Sequence, residues 1–567
     1  MHFKDMQYQR PDIAAISQNI EELAAAAAQA QSKEALLEVF SAYSALSDKV
    51  GTAGTLAAIR HTIDTTDEFY SKENDYFDEN GPILQDKVLG LYRAILDSTY
   101  KAALAEKYGD ILLEKMALAI QSSDERLIAL QQKENALVTQ YEMLYASARI
   151  SFKGQELTIA QLAPYKQSTD RATRKEAMEA EGTFFDSHRE ELDRFYDELV
   201  KNRTQQAQLL GYQSYTPLGD IRMDRLGYSH ENIASLRKGV LEHIVPYIAK
   251  LKQRQAQRIG VEKLAFYDDP LSFKDGNPTP KGTAGELLAA GQAMYRQLSK
   301  ETSAFIDFMM ERDLFDVLAK PGKAPGGYCT YIPQYHSPFI FSNFNGTSGD
   351  VDVLTHEAGH AFAAYIAAAQ NLPAELMNPG LESCEIHSMS MEFFTSDYHH
   401  LFFGEDTKKY EISHTENALF FLPYGCQVDE FQETVYNNPA LTPEERNALW
   451  MELERKYRPW NNFEDLPFYS RGAGWQRQIH IYERPFYYID YVMAQTVALE
   501  FFLLKNKNAA DAWQRYLALV SKAGTATYPQ LVQAANLPIP YEKDALLSLG
   551  QEIYGWILDH STNETTA

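Results

Sequence analysis

The 567-residue chain contains only three cysteines, Cys329, Cys384 and Cys426. So few over that length form no disulfide framework and indicate a reducing compartment. No apolar run approaches the ~18–20 residues that a membrane-crossing helix requires. The opening stretch Met1-His2-Phe3-Lys4-Asp5-Met6-Gln7 also lacks the apolar segment of a secretory signal. The expectation is a soluble, cytoplasmic protein that engages no membrane. Positive charge is in deficit, with 53 Lys and Arg against 78 Asp and Glu and a formal net charge of −25. Phosphate backbones attract basic surfaces, so nucleic acid is not an expected partner. The total charge does not set substrate class, because the potential inside a cleft can differ from it. Internal repeats are also missing. The Gly-, Pro- and Asp-rich stretches at 211–220, 268–283 and 320–327 are too short to be clear interdomain linkers.

Helical patterning is abundant. Hydrophobic residues at 45% and charged residues at 23% suit a large globular body, either one α-rich unit or two domains. Residues 11–60 are alanine-rich with helical spacing, and further helical patterns cover 84–106 and 109–148. Heptads are not sustained, so these read as packed helices rather than a coiled coil. Ile150 to Thr158 reads as a small hairpin turning on Lys153-Gly154. Ser168-Thr169-Asp170 predicts the start of a helix to about 181, and another spans about 187 to 210. Strand patterns are few and cluster at 326–331 and 337–347. The expected fold is mostly α, with a small β-sheet beside one central helix.

That helix carries Leu354-Thr355-His356-Glu357-Ala358-Gly359-His360, an H-E-x-x-H pattern. Four-residue spacing stacks His356 and His360 on one helix face, where two imidazoles can bind one Zn²⁺ at about 2.0–2.1 Å. Glu357 can then reach a zinc-bound water as general base. Asp350 or Asp352 can cap this helix, and the alanine-rich run from Ala361 to Ala367 continues it. A catalytic zinc needs a third protein ligand and an open position. The extended H-E-x-x-H-x-x-G-x-x-H pattern is absent, since Ala363 and Ile366 occupy its Gly and third His positions.

A carboxylate from a second helix is therefore expected. Past Pro373 and Pro379-Gly380, the stretch from Leu381 to Phe394 reads as a helix with Glu382, Glu385, Met389 and Glu392 on one face. Three carboxylates among apolar residues need a charged partner, and a dication is one. Glu385 is chosen as ligand, with Glu392 supporting a ligating histidine and Glu382 as the alternative ligand. His387, two residues from Glu385, faces the other side as an ordinary packed or surface histidine.

Two neighbouring stretches can complete a site. The strand from Ser337 to Thr347 ends just before the metal helix. As an edge strand it could pair with a substrate backbone; equally, it could be a plain structural hairpin. Downstream, Tyr488 and Tyr491 lie one helical turn apart and follow His480. Any of the three could donate a hydrogen bond to an oxyanion.

Assembled, these motifs resemble the M3 family of zinc oligopeptidases, in its oligoendopeptidase F branch. The resemblance is carried by Gly-Tyr-Cys-Thr at 327–330, Pro-Phe-x-x-x-Asn-Phe-x-Gly-Thr at 338–347, and H-E-x-G-H. A glutamate 25 residues after the second histidine and a His-x₄-Pro-Phe-Tyr region complete it. It spans about 326–500 and extends more weakly upstream. It implies one zinc per chain held by His356, His360 and Glu385, a water activated by Glu357, and short unstructured peptides as substrates. It also implies an all-α, two-lobed body around a deep channel. The organisation expected is an N-terminal helical wall over 1–200 and a catalytic region over 201–567. The competing readings are a zinc carboxypeptidase or dipeptidyl peptidase on a similar scaffold, and a peptide-binding or chaperone-like protein with a structural zinc. A purely structural site has no need of Glu357. The sequence assigns no oligomeric state.

Overall fold

The computed structural model describes residues 1–561. It is 72% helix and 4% strand, so the mostly α reading holds. Three N-terminal helices, α1 (Ile13–Ala28), α2 (Lys33–Ile63) and α3 (Glu68–Asp97), pack on one another. Each starts at a side-chain cap: Asp12, Ser32 and Asp67 accept hydrogen bonds from first-turn amides. Ile16, Ile20, Phe40, Leu91 and Ile95 close a core of their own there. Leu376, from the loop that follows the metal helix, is fully buried in the same core and ties this bundle to the rest of the chain.

The helical pattern over 109–148 is broken in the structure. A helix over Asp110–Ser122 ends at extended Ser123, and Asp124 accepts from the Arg126 amide to start the next turn. α4 (Ile128–Ala146) follows. The hairpin forms as expected, with β1 (Ile150–Phe152) antiparallel to β2 (Gln155–Leu157). Lys153 (φ 47°) and Gly154 (φ 79°) both take left-handed conformations at its turn, as a two-residue hairpin loop requires. After a short helix, Ile159–Lys166, Asp170 caps the helix Arg171–Ser187, which runs past the expected end.

The centre of the larger core is built from α5 (Gly349–Ala368), α6 (Leu381–Phe394), α7 (Thr407–Asn437) and α8 (Tyr488–Lys507). α6 lies between α5 and α8, and α8 also packs on α7. Leu354, Phe362, Ile386, Phe393, Val492 and Met493 meet in the large core. Each such side chain contributes about 1.5–3 kcal/mol on burial.

The small sheet has three strands where two were expected. β3 (Phe315–Leu318) runs parallel to β5 (Ser337–Phe344), and β4 (Tyr328–Ile332) pairs antiparallel on its other side. This corrects one expectation. The 337–347 stretch forms the central strand, so its backbone is already paired on both sides. Its nearly continuous apolar run is the mark of a strand buried on both faces. β3 and β4 are the two edges, and β4 is the one whose residues Tyr328 to Tyr331 border the cavity lined by His356, Glu357 and His360.

Candidate active site

α5 begins at Ser348, whose side chain makes no capping bond. The carboxylates expected to cap it sit inside the first turn instead. Asp350 accepts the amides of Asn345 and Gly346, both at 2.8 Å, and Asp352 accepts the Tyr410 hydroxyl. They still place negative charge at the positive end of the helix.

His356 and His360 stack one turn apart with ring centroids 5.1 Å from each other. Glu385 reaches them from α6 because Gly359 lets the two helices touch. A Cβ at Gly359 would lie 2.6 Å from both the His387 carbonyl oxygen and the Ser388 Cα. The result is a converging donor set: Glu385 Oε2 lies 3.1 Å from His356 Nε2 and 3.3 Å from His360 Nε2. Ligands about 2.0–2.1 Å from one tetrahedral cation stand about 3.3 Å apart, so these donors fit a divalent metal. Among the described residues, His356, His360 and Glu385 are the group of histidine, cysteine and acidic side chains whose ligating atoms lie within 4.8 Å of one another.

The remaining ligand atoms are held from behind. His356 Nδ1 lies 2.8 Å from Glu392 Oε1, as the stripe on α6 suggested, and Glu392 Oε2 lies 2.8 Å from His414 Nε2 on α7. Glu385 Oε1 accepts the Tyr487 hydroxyl, and its Oε2 accepts Ser388 Oγ at 2.8 Å. Bonds of this kind fix ring and carboxylate orientation before a metal binds. Glu382, the alternative ligand, is buried but belongs to no converging set. Its carboxylate folds back against Gly380, and it feels the charge of Arg225.

Glu357 is 6% exposed, and its Oε2 has no hydrogen-bond partner. Burial pushes its carboxyl up, against the opposing charges of His356 and His360. The loop before β4 comes close to it: a Cβ at Gly327 would stand 3.5 Å from Glu357 Oε1. Gly326 makes that approach with φ 81°, a conformation glycine adopts without strain.

The tyrosine register differs from the expected one. Tyr487 and Tyr491 line the cavity with His480, whereas Tyr488 is not part of its wall. Tyr488 packs behind them, on Phe421, Tyr424 and the His480 ring. Residues four apart share a helix face, so the pair that looks inward is Tyr487 and Tyr491. His480 Nε2 lies 3.3 Å from the Tyr491 hydroxyl, and burial lowers its pKa to about 4, leaving it neutral.

His387 is packed, one of the two places expected for it, and it also borders the cavity. It is 2% exposed, with Nε2 unpartnered. The cavity holds about 510 Å³ and is walled by the β4 loop, α5, α6 and the approach to α8. Thr62 and Glu142 extend the wall from the N-terminal helices. No local signal marked His414 or Thr62, because each reaches the site only through tertiary packing, whereas Tyr487 closes the His-x₄-Pro-Phe-Tyr stretch.

A helical H-E-x-x-H, a carboxylate from a second helix and a buried glutamate beside a cavity make the arrangement of a metallopeptidase. The model of the peptidase M3 N-terminal domain matches residues 3–123, and that of peptidase family M3 matches residues 164–275 and 300–544. The chain belongs to peptidase family M3, in its oligoendopeptidase F branch, and is a metalloendopeptidase. It is 45% identical to Pz peptidase A, solved with an inhibitor, with a TM-score of 0.97 over 98% of this chain and 99% of that one. A chain assigned as oligoendopeptidase F is 46% identical with a TM-score of 0.98, covering all of both chains. Oligopeptidase PepF of Bacillus subtilis (strain 168) is 22% identical over 88% of this chain and 77% of its own length.

Proposed function

We propose that the protein is a cytoplasmic oligoendopeptidase that cuts internal bonds of short, unstructured peptides, with one Zn²⁺ per chain held by His356, His360 and Glu385. The bound ion would supply Lewis acidity to the scissile carbonyl and to the attacking water. Glu357, in the cavity wall beside the metal donors, takes the water's proton and delivers it to the leaving amine. Tyr491 presents a phenol donor to the charge that develops on the carbonyl oxygen, His480 holds the Tyr491 hydroxyl in place, and Tyr487 positions Glu385 by donating to its Oε1. Tyr488 has no part in this step. The free edge of β4 runs along the cavity wall and can pair with an extended substrate backbone, aligning the bond to be cut. Residues 1–200 form one side of the channel, in keeping with Thr62 and Glu142 in its wall, and 201–567 carry the chemistry. No helix of the described residues is long and apolar enough to cross a membrane.

The observation that carries this reading is Glu357: a buried carboxylate left without a partner beside three converging metal donors. Digestion of a peptide ladder from about five to forty residues tests it. Internal cleavage of short members, lost with chelator and restored by zinc, is expected. Glu357→Gln should bind zinc and lose turnover by at least about 10³-fold. A requirement for a free substrate C-terminus, or full activity in Glu357→Gln, would overturn it.

A further inference from the structure

Both tyrosines that face the cavity follow one unusual backbone turn. Between the short helix Ile479–Glu483, which carries His480, and the start of α8, the chain passes through Phe486 with φ 69°. A bulky residue takes this left-handed conformation only where its surroundings impose it. The Phe486 ring is fully buried and packs on Tyr215 and Tyr436. It presses on the helix Tyr215–Arg222, where a Cβ at Gly219 would stand 2.7 Å from the ring's Cε2. The Phe486 amide donates to Gln432 Oε1 on α7 at 3.3 Å, and its carbonyl accepts Arg225 Nη2 at 2.7 Å.

Arg225 does more than make that bond. Its buried guanidinium donates through Nη1 to Asp220 and through Nη2, at 3.4 Å, to Asp490 Oδ1 in the first turn of α8. One side chain therefore grips residue 486, immediately before Tyr487, and residue 490, immediately before Tyr491. Arg225 is not in the cavity wall, so it reaches the site only through these neighbours. A guanidinium suits the task, because its planar fork holds several acceptors at fixed angles and it stays charged; the point charge of an ammonium does not reproduce the fork. We propose that Arg225 is a positioning residue for the peptidase reaction. By tying the Phe486 turn to the first turn of α8, it sets the register in which Tyr491 faces the metal donors. This rests on the role given to Tyr491 above.

The test uses the full-length, zinc-loaded enzyme, an internally quenched peptide and Arg225→Lys, which keeps the buried positive charge and loses the fork. At saturating zinc, kcat should fall about 10- to 100-fold with KM within about threefold of wild type, since the oxyanion donor acts in the transition state. In a Tyr491→Phe background the same substitution should cost no more than about threefold, because the group it positions is gone. A purely structural role would instead multiply the two losses. Equal losses in both backgrounds, or a wild-type kcat in Arg225→Lys, overturn the proposal. If Arg225→Lys does not fold, Asp220→Asn loosens the same guanidinium from a partly exposed carboxylate. A kcat loss of at least about threefold that disappears in the Tyr491→Phe background then supports the proposal, and an unaltered kcat overturns it. Tyr491→Phe at the wild-type rate removes the oxyanion role on which this inference rests, whereas a slow Tyr491→Phe with multiplied losses removes this inference alone.

Discussion

Replacing Gly359 by alanine sets two physical effects against each other. On helix propensity alone the change should stabilise α5 by about 1 kcal/mol. The tertiary contact points the other way. The new Cβ would lie 2.6 Å from the His387 carbonyl oxygen and from the Ser388 Cα, where ordinary contact begins at 3.4 Å. Both neighbours are backbone atoms of α6, so no side chain can swing aside, and α5 and α6 must separate by roughly 0.8 Å. Overpacking of this kind costs about 1–3 kcal/mol, which cancels or outweighs the propensity gain. The larger consequence falls on the metal. His356 and His360 ride on α5 and Glu385 on α6, and metal–ligand distances tolerate about 0.2 Å. Gly359→Ala should therefore bind zinc at least about tenfold more weakly, read by competition with a chromophoric chelator. Its kcat/KM at saturating zinc should fall about 10- to 100-fold, since misplacement near 1 Å is costly to catalysis. Gly555 provides the control, because nothing lies within 4 Å of a Cβ built there. Gly555→Ala should leave zinc affinity and activity unchanged and raise the thermal midpoint slightly. Wild-type zinc binding and a raised midpoint in Gly359→Ala would refute the reasoning.

Three further outcomes follow from the same geometry. Tyr491→Phe should lower kcat about 10²- to 10³-fold with zinc retained, while Tyr488→Phe stays within a few-fold of wild type; equal losses in steady-state kinetics would return Tyr488 to the site. Glu392→Gln should weaken zinc binding about 10- to 100-fold in chelator competition through its bond to His356 Nδ1, and unaltered affinity would show that this bond orients nothing. Burial raises the Glu181 carboxyl, but the charges of Lys166 and Arg477 outweigh it and hold the pKa at about 2. The folded value lies below the unfolded one, so the stabilisation is complete above about pH 4.5 and is lost as pH falls toward 2. It amounts to about 3 kcal/mol at neutral pH, of which roughly 1 kcal/mol is gone by pH 3.5. Glu181→Gln should flatten that part of the pH dependence of urea unfolding, and an unchanged slope would refute the assignment.

Much of the fold was legible because its signals are local. The caps Asp12, Ser32, Asp67 and Asp170 act on amides within their own first turns, and the Lys153-Gly154 turn is set by two residues. The edge of the sheet was not legible. Whether 337–344 is central or peripheral depends on β3, a four-residue strand whose pairing partner lies some 25 residues away in sequence. Nothing in Phe315–Leu318 announces that pairing. The interruption near residue 123 was similarly hidden, since the apolar spacing continues across it and only Asp124 marks the restart.

At the site, the pairs that share one helix came through and the contacts between helices did not. His356 and His360 stack by helix geometry alone, and the spacing of Glu385 and Glu392 on α6 presents one to the metal donors and the other to His356 Nδ1. The tyrosine register failed for an equally geometric reason. A three-residue step and a four-residue step both keep side chains near one helix face, and only the packing of Phe421 and Tyr424 against Tyr488 decides which pair turns inward. His387 is packed as read, but its spacing from Glu385 did not show that it would also border the cavity, which extends beyond the metal donors. A zinc site fixes which atoms must converge, and that demand is visible as spacing. A cavity wall imposes no such convergence, so the residues that line it come from β4, α6 and the N-terminal helices with no common spacing to betray them.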